Sequence, residues 1–288
     1  MALSGVLAVV SSAVSASGDE HANCHLVGVT PECGFPAPTA EIFQFDPYID
    51  FVIAGQAVEI NKPLMLAVIG SALLIAFFVA AFRKPKLVPG RLQSVGESGY
   101  TFVRDGIARE IIGKEGDKYV PFLFSLFFFV WMLNLWGVIP FAQFPVSSRI
   151  AYPTALTLIV WILYMTLGLR HQGPIGFFKN MMFPPGLPKP IYLILAPIEL
   201  ISNVFVRPFT LTVRLFANMF AGHLLLTIFA VAAFYLFSPN IIGLLGSAAS
   251  FIVSVVLTGF ELFIQALQAY IFTLLAAVYI STSLHAEH

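Results

Sequence analysis

The chain has 288 residues, of which 58% are hydrophobic and 10% charged, with a mean hydropathy of +0.88. Soluble domains carry about 25% charged residues, so the composition excludes a soluble globular protein and fits a polytopic membrane protein. Fifteen basic and 15 acidic side chains cancel to zero net charge, which says nothing about partners, but their order along the chain does.

Residues 1–61 contain no Lys or Arg but hold Asp19, Glu20, Glu32, Glu41, Asp46, Asp50 and Glu59. Residues 83–118 contain eight basic side chains: Arg83, Lys84, Lys86, Arg91, Arg104, Arg109, Lys114 and Lys118. The positive-inside rule places the second segment in the cytoplasm and the first outside. Residues 2–17 are small and apolar and end Val14-Ser15-Ala16-Ser17, like a signal-peptide core, but lack the positively charged start. A cleaved leader and a loosely ordered, retained tail both fit. Cys24 and Cys33 share this outer segment, where a disulfide and two free thiols are equally compatible with the sequence. His21 and His25 near Cys24 match no zinc spacing, and no metal site is read there. Pro31, Gly34, Pro36, Pro38 and Pro47 predict little regular structure before about residue 62.

Leu64 to Phe82 is a 19-residue apolar run, long enough to span a bilayer, stopped by Arg83-Lys84-Pro85-Lys86. Gln93 to Ile112 alternates apolar and charged residues as an amphipathic helix at the cytoplasmic interface does. Val120 to Phe141 reads as a second span, closed by Pro140 and Pro145, and Ile150 to Leu169 as a third. Asn134, inside the second, reads as a helix–helix contact. Arg170, His171, Lys179 and Lys189 mark another cytoplasmic loop.

Ile191 to Phe237 is a mostly apolar run of 47 residues, interrupted by Pro197, Pro208, Glu199, Arg207 and Arg214. A helix that long would reach about 70 Å, over twice the ~30 Å hydrocarbon thickness. After the turn Ser238-Pro239-Asn240, a second run extends from Ile241 to Leu284. Each run is two spans or one strongly tilted helix. With no polar loop at either midpoint, the sequence favours two long oblique helices in a hairpin, with the C-terminus in the cytoplasm. The expectation is an all-α integral membrane protein with about five to six membrane helices, residues 62–288 forming the membrane domain.

Arg214 lies deep in the first long run, and no Lys or Arg follows it to the end of the chain. Burying an arginine at membrane depth costs between ~2.5 and ~17 kcal/mol, and deprotonation cannot relieve that cost. At ~100° per residue, Arg207, Arg214 and Asn218 share a face, as do Glu261, Gln265 and Gln268. Asn218, Gln265 and Gln268 read equally as interhelical hydrogen-bond contacts. Glu261, between Phe260 and Leu262, reads as a transport carboxylate. His223 reads as a proton relay or a satisfied core histidine. Glu199 reads as a pathway residue or an interfacial charge, and Arg207, before Pro208, as a side chain snorkelling to the interface.

The run Arg207-Pro208-Phe209-Thr210-Leu211-Thr212-Val213-Arg214-Leu215-Phe216-Ala217-Asn218-Met219-Phe220-Ala221-Gly222-His223 closely resembles the signature of the a subunit of the F-type ATP synthase membrane sector. Gln265-Ala266-Leu267-Gln268-Ala269-Tyr270-Ile271-Phe272 resembles the C-terminal signature of that family. The likeness in layout covers about residues 40–288. It implies a non-catalytic, proton-translocating stator in a bacterial plasma membrane, packed against a rotating ring of c subunits and held by b-type peripheral stalk subunits. No cofactor, metal or nucleic acid is implied. Arg214 matches the essential arginine that faces the proton-carrying carboxylate of the ring, Asn218 and Gln268 match residues near that arginine, and Gln265 opens the C-terminal signature among the proton-translocation candidates. His223 and Glu261 match a pair lining the outer half-channel, and Glu199 the acidic residue of the inner one. The interval from Glu199 to Pro208 departs from the family pattern by one extra residue. A secondary transporter would show inverted repeats and paired broken helices, which the sequence lacks. A purely structural membrane subunit is the third reading.

Overall fold

The computed structural model describes residues 38, 40–43, 49–53, 56–183, 192–237 and 240–284. The apolar stretch 2–17, His21, Cys24, His25, Cys33 and Lys189 lie outside these residues, and with them the readings of leader, disulfide and metal site.

A 3-10 turn, Ala40–Phe43, precedes an antiparallel hairpin of β1, Ile49–Ile53, and β2, Gln56–Ile60, in which Ile49 pairs with Ile60 and Ile53 with Gln56. This corrects the expectation of little regular structure before residue 62. The Ile, Val and Phe residues of both segments favour strand over the loop that the nearby prolines suggested. Helix α1, Lys62–Phe82, starts where Asn61 accepts the Leu64 N–H on its side-chain oxygen at 3.2 Å, with Pro63 in the first turn.

The linker after α1 is fixed by Gln93, whose amide donates to the Lys86 carbonyl and accepts from the Lys86 N–H, both at 3.1 Å. Helix α2, Arg91–Val103, continues through a π-turn, Arg104–Arg109, and one further turn, Glu110–Ile112, to Gly113 at φ 84°. The expected amphipathic helix is therefore present, with Val103, Ile107 and Ile112 buried and Leu92 and Val95 exposed. Beyond Gly113, Asp117 accepts from the Arg109 Nε and Nη2, both at 2.8 Å, and from the Arg104 Nε at 3.4 Å.

Helix α3, Val120–Leu135, ends six residues before the expected Phe141. Gly137 and Pro140 oppose helix continuation, and the chain loops so that the Phe144 N–H returns to the Trp136 carbonyl at 3.2 Å. Its 16 residues give about 24 Å, short of a full hydrocarbon crossing. Helix α4, Ala151–Gln172, is followed at Gly173 by α5, Pro174–Met182, a helix within the expected second cytoplasmic loop.

Helix α6, Tyr192–Ile201, a π-turn, Ser202–Val206, and α7, Arg207–Tyr235, run on without a break, residues 194–235 forming one helical stretch of 42 residues. Helix α8, Ile241–Leu284, has 44 residues and, at 1.5 Å per residue, extends about 66 Å. Each long apolar run is thus one helical stretch, not two spans. Among the described residues, four helical stretches are long and apolar enough to cross a membrane, and α3 is a shorter apolar helix. The all-α membrane architecture is borne out.

The chain divides into two compact units. The first combines Met1–Gly70, Met132–Arg149 and Ala217–Ala266. Here α7 and α8 pack antiparallel: the Ser247 hydroxyl donates to the Ala233 carbonyl at 2.5 Å, and Glu261 packs against Gly222. Phe43, Phe144, Val146, Met219 and Ala230 are buried in it. The second combines Ser71–Trp131, Ile150–Phe216 and Leu267–His288. Its α1 and α3 segments meet through Phe78, whose ring lies 4.7 Å from that of Phe124 and 5.0 Å from that of Phe128. Its α8 segment is tied to α4 by Gln172 donating to the Ser283 carbonyl at 3.0 Å.

Candidate functional site

In the first unit, small residues let polar side chains into the packing. A Cβ on Gly222 of α7 would lie 3.9 Å from the Glu261 carboxylate, so that acid sits against bare backbone one position from His223. A Cβ on Gly137 would lie 3.1 Å from the Gln265 amide nitrogen and from Pro145, so the loop after α3 makes room for Gln265. Glu261 is 5% exposed, Gln265 0% and Asn134 0%. On α8, Glu261, Gln265 and Gln268 are all buried while Leu262, Phe263 and Leu267 are exposed, as the shared polar face predicts.

Both Glu261 carboxylate oxygens, both amide atoms of Gln265 and of Asn134, the Ser147 hydroxyl and His223 Nδ1 have no hydrogen-bond partner among the described residues. Gln265 comes close to Glu261 without reaching good hydrogen-bond geometry. Buried polar groups are almost always paired, and an unpaired one costs about 1–3 kcal/mol. Such groups gathered in one unit mark a polar interior that the described residues do not satisfy. Asn134, fully buried in α3, is packed on all sides, and its amide has no hydrogen-bond partner among the described residues.

His223 is enclosed by aromatic rings. Phe43 lies 5.8 Å from it edge-on, Phe144 lies 6.4 Å away, and Phe43 packs at a tilt against Phe220 at 4.4 Å. The 3-10 turn that carries Phe43 is held by Arg149, whose Nε donates to the Phe43 carbonyl at 3.2 Å.

The second unit holds Glu199, Arg207, Arg214 and Gln268. Asn203 donates to the Glu199 carbonyl at 2.8 Å and to its carboxylate at 3.2 Å. Pro208 has no N–H to offer the carbonyls of Val204, four residues back, or Asn203, five back. Both are taken by α4: Tyr164 donates to the Asn203 carbonyl at 2.9 Å and Trp161 to the Val204 carbonyl at 3.1 Å. Neighbouring helices commonly satisfy a proline-freed backbone in this way. Arg207 lies over the Tyr279 ring at 5.5 Å, a cation–π contact.

Arg214 is exposed on α7, as is Asn218 one turn on, whereas the flanking Leu211 and Leu215 are buried. The ion pairs among the described residues join Arg104 and Arg109 to Asp105 and Asp117, and none involves Arg214. No acid of these residues locks it.

The sequence singled out the polar stripes but missed Phe43, Phe144, Trp161, Tyr164 and Asn203. A proline inside an unbroken apolar run was the available signal for Trp161 and Tyr164, since the freed carbonyls require donors. Phe43 and Phe144 carry no such signal.

Fold and site together define a polytopic membrane protein with ionisable side chains set into apolar helices. Residues 64–281 match the family described as ATP synthase A chain. The chain is 51% identical over 267 residues to ATP synthase subunit a of Streptomyces lividans, covering 92% of each chain. It is 43% identical over 267 residues to ATP synthase subunit a of Frankia alni, covering 91% of each, and 42% identical over 245 residues to that of a Nocardioides species, covering 83% of this chain and 87% of the relative. The chain belongs to this family, the a subunits of the F-type ATP synthase membrane sector.

Proposed function

We propose that this chain is the proton-conducting stator of a rotary ATP synthase, with two offset half-channels that serve the carboxylate of a c-subunit ring. The observation that carries the reading is Arg214: a permanent cation on an apolar helix, exposed, with no acid of the described residues bound to it. Such a cation is costly in lipid and is balanced when a partner brings the negative charge.

In this reading Glu261 and His223, with Gln265 and Asn134, pass protons from outside to the ring. Glu199 and Asn203 belong to the path toward the cytoplasm. Asn218 and Gln268 flank Arg214. The guanidinium favours the ionised ring carboxylate and cannot itself relay a proton, so protons cross only by way of the ring. One charge moved through the membrane potential supplies ~2.3 kcal/mol per 100 mV, the source of torque. The N-terminus lies outside and the C-terminus in the cytoplasm, with b-type stalk subunits holding the chain still. ATP chemistry belongs to other subunits.

A purely structural role would make the polar side chains interhelical glue, yet the side-chain amides of Asn134 and Gln265 have no hydrogen-bond partner among the described residues. The test is Arg214→Ala in the complete complex, reconstituted in vesicles. Proton-driven ATP synthesis is expected to vanish while subunit composition stays intact; retained synthesis refutes the reading.

A further inference from the structure

A π-turn takes up one residue more than an α-turn. Every side chain beyond it is therefore turned by about 100° from where an uninterrupted helix would point it. The π-turn Ser202–Val206 ends where the Arg207 N–H bonds to the Ser202 carbonyl, eight residues before Arg214 counted from Val206. It sets the phase of all of α7. Removing that extra residue's worth of rotation would carry Arg214 off the exposed stripe and put Val213 or buried Leu215 in its place.

A π-turn is less stable than the α-helix it interrupts and persists where its surroundings favour it. Here the favouring contacts are specific. Pro208 withholds the N–H that either helical geometry would use, and the carbonyls of Asn203 and Val204 each receive a side-chain donor from α4, one turn apart: Tyr164 at 2.9 Å and Trp161 at 3.1 Å. Asn203 is fixed from the other side by its bonds to Glu199, and the Tyr164 ring packs 5.5 Å from that of Tyr279, which carries Arg207. All these contacts lie within the second unit.

We infer that Trp161 and Tyr164 are positioning residues for Arg214: by taking the carbonyls of Asn203 and Val204, neither of which Pro208 can serve, they hold the π-turn and so fix the direction in which the arginine points. The functional half of this inference rests on the stator reading above.

The test uses the complete complex in vesicles. Tyr164→Phe removes one oxygen, and W161F/Y164F removes both donors. Thr210, exposed on α7 between Pro208 and Arg214, is replaced by cysteine and carries a nitroxide label; Thr210→Cys alone gives the reference spectrum. We expect W161F/Y164F to change the label's spectrum, to lower proton-driven ATP synthesis about three- to tenfold, the equivalent of one or two membrane hydrogen bonds, and to raise passive proton leak. Tyr164→Phe should show the same changes in smaller measure, and is read alone if the double variant fails to assemble. An unchanged spectrum with unchanged synthesis overturns the inference. With Arg214→Ala as control, an inactive control and a silent label defeat the register inference alone. An active control and a shifted label defeat the stator reading and leave the register contact standing.

Discussion

At the scale of single residues, the molecule's main peculiarity is acid and amide groups buried without partners among the described residues. Glu261 is the extreme case, with both oxygens enclosed against Gly222 and unbonded among the described residues. If it passes protons, Glu261→Gln keeps the size and polarity but abolishes the exchangeable acid. We expect at least a tenfold fall in proton conduction through the assembled complex, on the low side of the ~10²–10⁴ that a positioned acid–base group contributes, while Glu261→Asp retains part of the rate. Equal rates for Glu261→Gln and the parent, by dye quenching in vesicles, would remove Glu261 from the path. Polar residues such as Glu261 and Gln265 were legible in the sequence because each interrupts an apolar run at helical spacing, and burial follows that spacing. The aromatic enclosure of His223 was not legible. Phe43 and Phe144 are two of 29 phenylalanines, and nothing local distinguishes them.

At the scale of elements, hydropathy located the membrane helices because a span needs about 20 apolar residues, but it could not set every boundary. Trp136 to Phe141 is apolar enough to prolong α3, so the backbone effects of Gly137 and Pro140 decided the outcome. The π-turn before Arg207 is equally silent in composition; it is written in Pro208 and in donors some 40 residues earlier. The polar loop after α2 gives a prediction of its own. The Arg109 guanidinium, hydrogen-bonded to Asp117, and then Arg104, hold the Asp117 carboxyl well below the usual carboxylate range. The folded loop thus binds this proton more weakly than the unfolded chain, so the pairing stabilises it above the ordinary carboxylate pKa of ~3.9 and is lost only as pH falls through the lower folded value. Amide hydrogen exchange across Gly113–Tyr119, corrected for intrinsic rates, should show equal protection at pH 6 and pH 4. Asp117→Asn should lower that protection at both. A marked loss of protection in the parent between these pH values would contradict the pairing.

At the scale of the whole molecule, the long helices bury little of themselves: in its most apolar window α8 has 11% of its residues buried inside the chain. The remainder, including Ile252, Val255 and Val256, must meet lipid or apolar neighbours. Val256→Arg is therefore expected to cost about 2.5–3.5 kcal/mol on insertion and to reduce the amount of chain in the membrane fraction. Lysine at exposed Leu87, in the polar linker after α1, should leave that amount unchanged. Equal losses for the two would mean that α8 is not an apolar-facing helix. The bond from Arg149 to the Phe43 carbonyl joins positions 106 residues apart. During synthesis, Phe43 leaves the ribosome well before its anchor does, so the cover over His223 cannot close until α3 and the loop after it have been translated. His223 is translated later still, so Phe43 is anchored by Arg149 before the histidine emerges, and the histidine meets a cover already in place.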